Sequence, residues 1–447
     1  MHPRNMTLTG WGRIAPTTAL VTDPADLDET ASLLRGDSRA IPRGLGRSYN
    51  NAAQCDGGTV ISSARLNRIL SLDAETGVVT AEAGVSLEQL MVAGLPSGWF
   101  VPVSPGTRQV TIGGAIAADV HGKNHHQAGS FAGHVSSFDL VLPGGELRTV
   151  TPDGDPELFW ATAGGMGLTG FIVRATLRLK KVDSSRVLVE TVRTPDLDET
   201  MAVLSEHDGK YGYTVAWSDC LARGGALGRS IVTSGDFAPA SALPAGAGRY
   251  DFNPAAKIGL PPGFPPGLLN KYSIGLANTA WYLKAPRHRT GELQTIGQFF
   301  HPLDGIRNWN RAYGPGGFRQ YQYVIPFGAE DAVRKSYELV SAVRAPSFVT
   351  VLKRFGEADP GLLSFPAAGW TLALDFPART PGLLDLCDRL DSLVLNAGGK
   401  VYLAKDSRVP ATVFDQMYPR AEEFRKVRAA VDPAGVLASD LSRRLNL

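Results

Sequence analysis

The sequence predicts an α+β protein of two domains, and three observations carry that prediction. At 447 residues the chain exceeds the size at which one hydrophobic core stops growing. Near the N-terminus, short apolar strand-like runs alternate with capped helices, which indicates strands and helices in layers. Beyond Phe318, strand-like segments are interleaved with helices, the pattern of an antiparallel sheet backed by helices.

Taken in order, Ala19–Val21 and Ala40–Ile41 read as strands flanking a short helix. That helix has Asp23-Pro24 and Asp26 as an N-cap with Pro at the first helical position, an apolar stripe of Leu27, Ala31 and Leu34, and Gly36 as its stop. Val78–Ala83 reads as a strand before a helix that opens with the capping box Ser86-Leu-Glu-Gln89. From Phe171 to Val182 the residues alternate, with Val173, Ala175, Leu177 and Leu179 on one side and Arg174, Thr176, Arg178 and Lys180 on the other, as in a half-buried strand. The Pro/Gly-rich stretch Phe237–Gly267 has too few periodic apolar residues for a core element and reads as a mobile loop of the second domain. Strands are then expected at Phe318–Ile325, Phe348–Phe355, Gly369–Phe376 and Lys400–Ala404, and helices at Glu330–Arg344 and Pro381–Leu395. No repeat of solenoid length is visible.

Composition narrows the function classes. The formal net charge is +2 and there is no long Lys/Arg run, so the footprint of a nucleic-acid-binding protein is missing. Cys55, Cys220 and Cys387 lie far apart, which argues against a zinc site, a redox dithiol or a disulfide framework. The N-terminal MHPRNMTLTGWGRIAP has no apolar core of signal-peptide length, and no run of about 18 apolar residues occurs. A chain neither exported by a signal peptide nor spanning a membrane is expected. Contact with a membrane surface through a few apolar loops remains compatible with this.

Glycine is abundant, at 50 residues, and it recurs at short spacing in three motifs. Ile41-Pro-Arg-Gly-Leu-Gly-Arg-Ser-Tyr-Asn-Asn51 follows a short strand and lets several backbone N–H groups point at one anion, such as a diphosphate; a plain glycine turn fits these residues equally well. Gly165-Met-Gly-Leu-Thr-Gly170 spells GxGxxG, yet an alternating strand follows it directly, whereas a nicotinamide dinucleotide fold needs a helix there. Between them, Gly113-Gly-Ala-Ile-Ala-Ala118 within Ser104–Gly122 offers a surface without side chains at a helix start, suited to a flat ligand.

The Arg43–Tyr49 loop, the Gly106/Gly113 segment, the Gly164–Gly170 loop and the strand after it resemble, in order and spacing, the FAD domain of vanillyl-alcohol oxidase-type flavoproteins. GLGRSYNNAAQ, TIGGAIAADVHGKNHHQAGSF, WNRAYGPGGFRQYQYVIP, VYLAKDSR and DPAGVLASDLSRRL together are similar to the decaprenylphosphoryl-β-D-ribose 2-oxidase family, the flavin subunit of a cell-wall epimerase. The resemblance implies an α+β, two-domain vanillyl-alcohol oxidase/PCMH-type fold. Residues 7–183 and the return 400–447 would bind FAD, and 184–399 would form an antiparallel-sheet substrate domain with its loop near 237–267. It also implies oxidation of the C2 hydroxyl of polyprenylphosphoryl ribose to a 2-keto intermediate, which an NADH-dependent keto-reductase partner reduces to the arabinose donor for cell-wall arabinan. A periplasmic or cell-envelope location follows from the family, although no signal peptide is visible. The resemblance maps FAD contacts to Arg43, Gly44, Leu45, Gly46, Arg47, Ser48, Tyr49, Asn50 and Asn51, to Gly106, to Thr111, Ile112, Gly113 and Gly114, to Ala118, Asp119, Val120 and His121, and to Ile172 and Tyr402. Members with covalent flavin often carry His where Arg47 stands, so FAD is expected to be noncovalent.

Oxidising an alcohol needs a positioned base and a carbon held close to the flavin. Lys405 in Tyr402-Leu-Ala-Lys-Asp406 is the first choice for that base, since a desolvated lysine has a lowered pKa; a surface lysine at a strand end is the plain alternative. By strand alternation Gln320 and Gln322 share a face, as do Val351 and Lys353, and as do Thr371, Ala373 and Asp375. These faces suit a sugar phosphate, with Lys353 toward the phosphate and the glutamines toward hydroxyls; solvent-facing strand edges fit the pattern as well. Lys123, Tyr49 and Trp217 complete the expected substrate pocket. His121, His125, His126 and His134 cluster near the glycine surface without a carboxylate or cysteine set to complete a metal site, and the resemblance places His121 beside the flavin. The best-known family members carry, at the position of Ala373, a cysteine that nitroaromatic inhibitors trap. The runner-up is an alditol or aldonolactone-type sugar oxidase that uses O2.

Overall fold

The computed structural model describes residues 3–265 and 267–447; Met1, His2 and Pro266, which belong to the N-terminal and loop readings above, lie outside the described residues. Arg4–Leu8, Thr17–Thr22, Thr59–Ser62 and Ala40–Arg43 form a sheet in that order, antiparallel in its first pair and parallel in the others. The helix Leu27–Leu34 begins after Asp26, whose side chain accepts from the Glu29 amide, so Pro24 sits upstream of the cap and not at the first helical position. The Ser86 capping box forms as the sequence predicts.

A second, wholly antiparallel sheet follows, ordered Ile69–Leu72, Val78–Glu82, Phe171–Arg178, Val135–Val141, Leu147–Val150. Val173, Ala175 and Leu177 face its core while Arg174 and Arg178 face out. The alternating run does not continue as one strand to Val182: it ends at Arg178, and Lys180–Lys181 pairs with Trp99–Phe100 instead. Gly165–Gly170 lies between the helix Pro156–Thr162 and the strand Phe171–Arg178, the reverse of the order a nicotinamide fingerprint requires.

The third sheet has eight antiparallel strands, ordered His288–Thr295, Arg186–Thr194, Ser230–Phe237, Tyr213–Ser218, Thr350–Phe355, Gly369–Pro377, Phe318–Pro326, Lys400–Val401. The helices Leu197–Asp208, Glu330–Val343 and Leu383–Asn396 pack against it. Its register sets four predicted residues abreast: Trp217 opposes Val351, Val351 opposes Ala373, and Ala373 opposes Gln322. Gln320 likewise opposes Asp375, and Lys353 opposes Thr371. The expected strand Lys400–Ala404 stops at Val401, because the next carbonyls serve other partners: Leu403 O accepts from Asn50 Nδ2 at 2.6 Å and Ala404 O from the Tyr49 amide at 2.9 Å. Lys400–Val401 thus closes the edge of the large sheet before the chain crosses back to the glycine loop.

The segment after Phe237, expected as a mobile loop of the second domain, has backbone partners along its length. Its Ser185–Arg249, Lys257–Gly305 and Leu260–Arg307 backbone hydrogen bonds, the Arg108 side chain on Pro254 O, and a parallel pairing of Ile258–Gly259 with Ile306–Arg307 tie it down. Proline and glycine remove side-chain periodicity without removing these backbone partners.

Candidate functional site

A cavity of about 1820 Å³ opens between the glycine segments and the large sheet. It exceeds the roughly 300–1,000 Å³ of a pocket for one drug-sized ligand, so a dinucleotide and a second molecule fit together. Eight Lys or Arg side chains line it against two Asp, Asp251 and Asp375, which favours anionic ligands.

On one wall, Arg43, Gly44, Leu45, Gly46, Arg47, Ser48 and Tyr49 all line the cavity. Among the described residues the N–H groups of Leu45, Gly46, Arg47 and Ser48 donate to no protein acceptor, as a loop that receives a diphosphate requires. The Arg43 guanidinium braces this loop from behind, donating to Ala53 O at 2.9 Å and Thr9 O at 2.8 Å. A Cβ on Gly44 would lie 2.2 Å from Thr111 Oγ1, so loop and helix start meet too closely for any side chain there. Thr111 caps the helix Ile112–Ala117, and Gly106, Gly113, Gly114, Ala118, Val120, His121, Ile172 and Tyr402 complete this wall. Arg47 holds its head over Trp11, 4.0 Å from the ring centroid, and donates to Gln109 O at 2.9 Å.

Five expected site residues do not line the cavity. Asn50 and Asn51 follow the loop; Asn50 donates to the carbonyls of Leu403 and Asp406 and thereby fixes the C-terminal segment. Ile112 is core, and Asp119 accepts from Ser364 Oγ and the Ala132 amide. Thr371 lies behind Gln322, which donates to its hydroxyl at 3.3 Å. All five sit within two residues of lining ones in sequence, and burial or strand pairing turned Asn50, Ile112, Asp119 and Thr371 to structural surroundings.

The opposite wall carries Trp217, Gln320, Gln322, Val351, Lys353, Ala373, Asp375 and Lys405, with Lys123 and Tyr49 between the two walls. The Lys405 ammonium sits over the Tyr49 ring, 3.4 Å from its centroid. Burial lowers the pKa of Lys405, Asp375 opposes that shift, and Lys353 adds to it; burial likewise raises the Asp375 carboxyl, against its hydrogen bond from Gln320 and the charge of Lys405. Burial brings Lys353 down to about 8, and burial with the Lys353 charge brings Lys123 to about 7. His121 is held neutral chiefly by burial, with Lys353, His125 and Lys405 adding repulsion. Its Nε2 lies 3.0 Å from the Gln322 amide nitrogen, and its ring packs between Phe355 and Tyr402. His121 Nδ1 and Asp375 Oδ2 are buried without a protein partner, a cost of about 1–3 kcal/mol each that a bound molecule relieves.

Residues that sequence reasoning missed are scattered along the chain, Trp11, Arg108 and Arg186 among them, and include two stretches, 251–258 and 294–309. His301 Nε2 meets Ser104 Oγ at 2.6 Å, and Asp304 accepts from Thr107 Oγ1 at 2.8 Å and the Arg108 amide at 2.9 Å, which pins the Pro302–Gly305 turn to the Gly106 segment. No periodicity marks these stretches. Among the described residues no group of three His, Cys, Asp or Glu is arranged to hold a metal.

The FAD binding domain family matches residues 16–151, which contain the glycine loop and the Thr111 helix start, and the D-arabinono-1,4-lactone oxidase family matches residues 376–445. The chain is 44% identical to the decaprenylphosphoryl-beta-D-ribose oxidase of Mycolicibacterium smegmatis over 98% of its own length and 97% of that protein's. It belongs to the decaprenylphosphoryl-β-D-ribose oxidase family. A Streptomyces coelicolor relative, an uncharacterized protein in the mprA 5'region, is also 44% identical and is matched over its full length by 81% of this chain. The D-lactate dehydrogenase of Archaeoglobus fulgidus is 29% identical over 37% of this chain and 40% of its own. As an oxidase-family chain with an FAD-binding domain, this protein is an FAD-dependent oxidoreductase of α+β, vanillyl-alcohol oxidase/PCMH type.

Proposed function

We propose that this protein oxidises the C2 hydroxyl of a polyprenylphosphoryl-β-D-ribose to the 2-keto compound, with FAD held noncovalently. An NADH-dependent keto-reductase then converts the product to the arabinose donor for cell-wall arabinan, at the cell envelope. Residues 7–183 and 400–447 hold the cofactor and 184–399 the substrate. The observation that carries this reading is Lys405, half-buried over Tyr49 in a cationic cavity where the glycine wall meets the eight-stranded sheet.

The neutral amine of Lys405 takes the hydroxyl proton of the substrate, which its lowered pKa permits near neutral pH. When bound, FAD accepts the two electrons and the carbon-bound hydrogen. Lys353 and Lys123 pair with the phosphate, whose charge restores the protonation that burial weakens. Gln320 and Gln322 hydrogen-bond the ribose hydroxyls. His121 keeps its proton on Nδ1 while Gln322 donates to Nε2, so an N–H is offered to a bound group. Arg47 offers no nucleophilic imidazole for a covalent flavin link, and its guanidinium is already committed to Trp11 and Gln109.

Purified protein is expected to show flavin absorption that is lost on denaturation and filtration, as noncovalent FAD requires. Incubation with a prenylphosphoryl ribose is expected to bleach that absorption and yield the 2-keto product; an unbleached flavin would overturn the substrate assignment. The match of residues 376–445 to the lactone oxidase family favours a second reading, a small-sugar oxidase using O2. Peroxide formation with free alditols at rates above those with the prenyl phosphate would establish it.

The base must be unprotonated to act, so kcat/KM is expected to fall on acidification, with an apparent pKa well below the 10.5 of free lysine. A profile flat from pH 6 to 10 would exclude Lys405 as that base. Ala373 lines the cavity on the same rung as Val351 and Gln322. Ala373→Cys is therefore expected to make the enzyme susceptible to irreversible, turnover-dependent inactivation by nitroaromatic inhibitors, read as a covalent mass increase that the parent lacks. Cys387 gives the parent no such thiol, since it is buried on the helix Leu383–Asn396 and its pKa is pushed up to about 12 by that burial.

A further inference from the structure

The helix Lys271–Lys284 is built inside out. Its inward side is anchored by polar groups: Asn278 Nδ2 donates to Asp219 Oδ1 at 2.9 Å, Arg229 Nη2 donates to Thr279 Oγ1 at 3.0 Å, and Tyr282 OH donates to Thr194 O at 3.2 Å. Ile274 is its single buried large apolar side chain. Outward, Tyr272, Leu276 and Leu283 fall on one stripe and are 69%, 75% and 63% exposed, while Trp281, 55% exposed, lies on the other side of the helix toward the cavity. An ordinary surface helix turns such a stripe to the core and its polar face to water.

The charge around this helix is equally one-sided. From Asp251 to Glu292 the chain has no other carboxylate, and it has five cations, Lys257, Lys271, Lys284, Arg287 and Arg289, all exposed. Lys271 lies 5.2 Å from the Tyr272 ring centroid and Lys284 lies 5.9 Å from that of Trp281, so cations and aromatic rings flank the stripe at both ends. Exposed apolar side chains rimmed by aromatics and lysines are the pattern of a helix lying in a lipid headgroup layer. Two copies of this face brought together would set like charges against each other, whereas anionic headgroups neutralise them.

We propose that Lys271–Lys284 docks on an anionic lipid bilayer with its Tyr272–Leu276–Leu283 stripe in the headgroup layer. Trp281, Ala277 and Asn278, on the other side of the same helix, line the cavity, so the docked helix lies between the bilayer and the cavity at its rim. A sugar phosphate on a prenyl chain then reaches Lys405 while its chain stays in lipid. That last consequence rests on the substrate reading above; the docking itself does not. No helix of the described residues is long and apolar enough to cross a membrane, so the contact is peripheral.

Holoenzyme is expected to sediment with vesicles of phosphatidylcholine containing phosphatidylglycerol, and to do so less with phosphatidylcholine alone or at high salt. Leu276→Glu/Leu283→Glu is expected to reduce that partition at least tenfold while retaining flavin absorption and turnover of a short-chain, water-soluble prenylphosphoryl ribose. Lys271→Glu/Lys284→Glu serves as a second variant, expected to lose mainly the preference for phosphatidylglycerol. Parent protein that ignores the anionic vesicles would overturn the proposal, as would undiminished binding by both variants. Self-association of the parent without lipid, abolished by Leu276→Glu/Leu283→Glu, would assign the face to a second copy instead. Failure of the parent to turn over the soluble substrate would remove the substrate reading and leave the vesicle result to decide the docking.

Discussion

Lys405→Ala is expected to leave FAD absorption intact and to lower the rate of flavin bleaching by substrate by about 10²- to 10⁴-fold, the usual contribution of a positioned general base. The wall proposed for FAD is made by Arg43–Tyr49, Gly106, Thr111, Gly113, Gly114, Ala118, Val120 and His121, none of which depends on the Lys405 side chain for its hydrogen bonds. The expected loss therefore falls on kcat and not on cofactor content. Removing the lysine also removes the cation beside Asp375, whose carboxyl should then titrate still higher, since Lys405 is one of the two influences that hold it down. Activity in Lys405→Ala that small exogenous amines restore would identify the missing group as a base; near-parental bleaching would refute its role.

Gly46→Val is expected to weaken cofactor binding severely. Gly46 has φ 64°, and a Cβ there would lie 2.3 Å from Arg43 Nη2. That guanidinium cannot yield easily, because it is bonded to the carbonyls of Ala53 and Thr9. A β-branched residue at positive φ adds its own strain, so the combined cost is about 2–4 kcal/mol, or roughly 30- to 1,000-fold in FAD affinity. The protein should be isolated colourless and titrate with FAD only weakly. Gly133→Ala is the control: its Cβ would meet nothing within 4 Å, and its flavin content should match the parent's.

The parts of this site that were legible in the sequence are those written in the backbone. The Arg43–Tyr49 loop and the Thr111 helix start are legible because glycine marks places where chain meets chain, and the strand faces because alternation has a fixed period. Register then did what alternation alone could not, setting Trp217, Val351, Ala373 and Gln322 on one rung. What stayed hidden depends on tertiary contacts. Asp119 and Thr371 sit among lining residues in sequence but turn to Ser364 and Gln322. The wall formed by 251–258 and 294–309 has no period to read, and its fixation rests on pairs such as Thr107 with Asp304, 197 residues apart. Pro24 shows the same limit locally, since a proline near an Asp is compatible with more than one cap position.

The bond from Asn50 to Leu403 joins residues 353 positions apart, and the Tyr49–Ala404 bond beside it does the same. On the reading of Lys405 as the proton acceptor, the base and the glycine loop are therefore fastened to each other by two hydrogen bonds between segments distant in sequence. The glycine loop and the lysine thus form one mechanical unit, and neither can shift without pulling on the other.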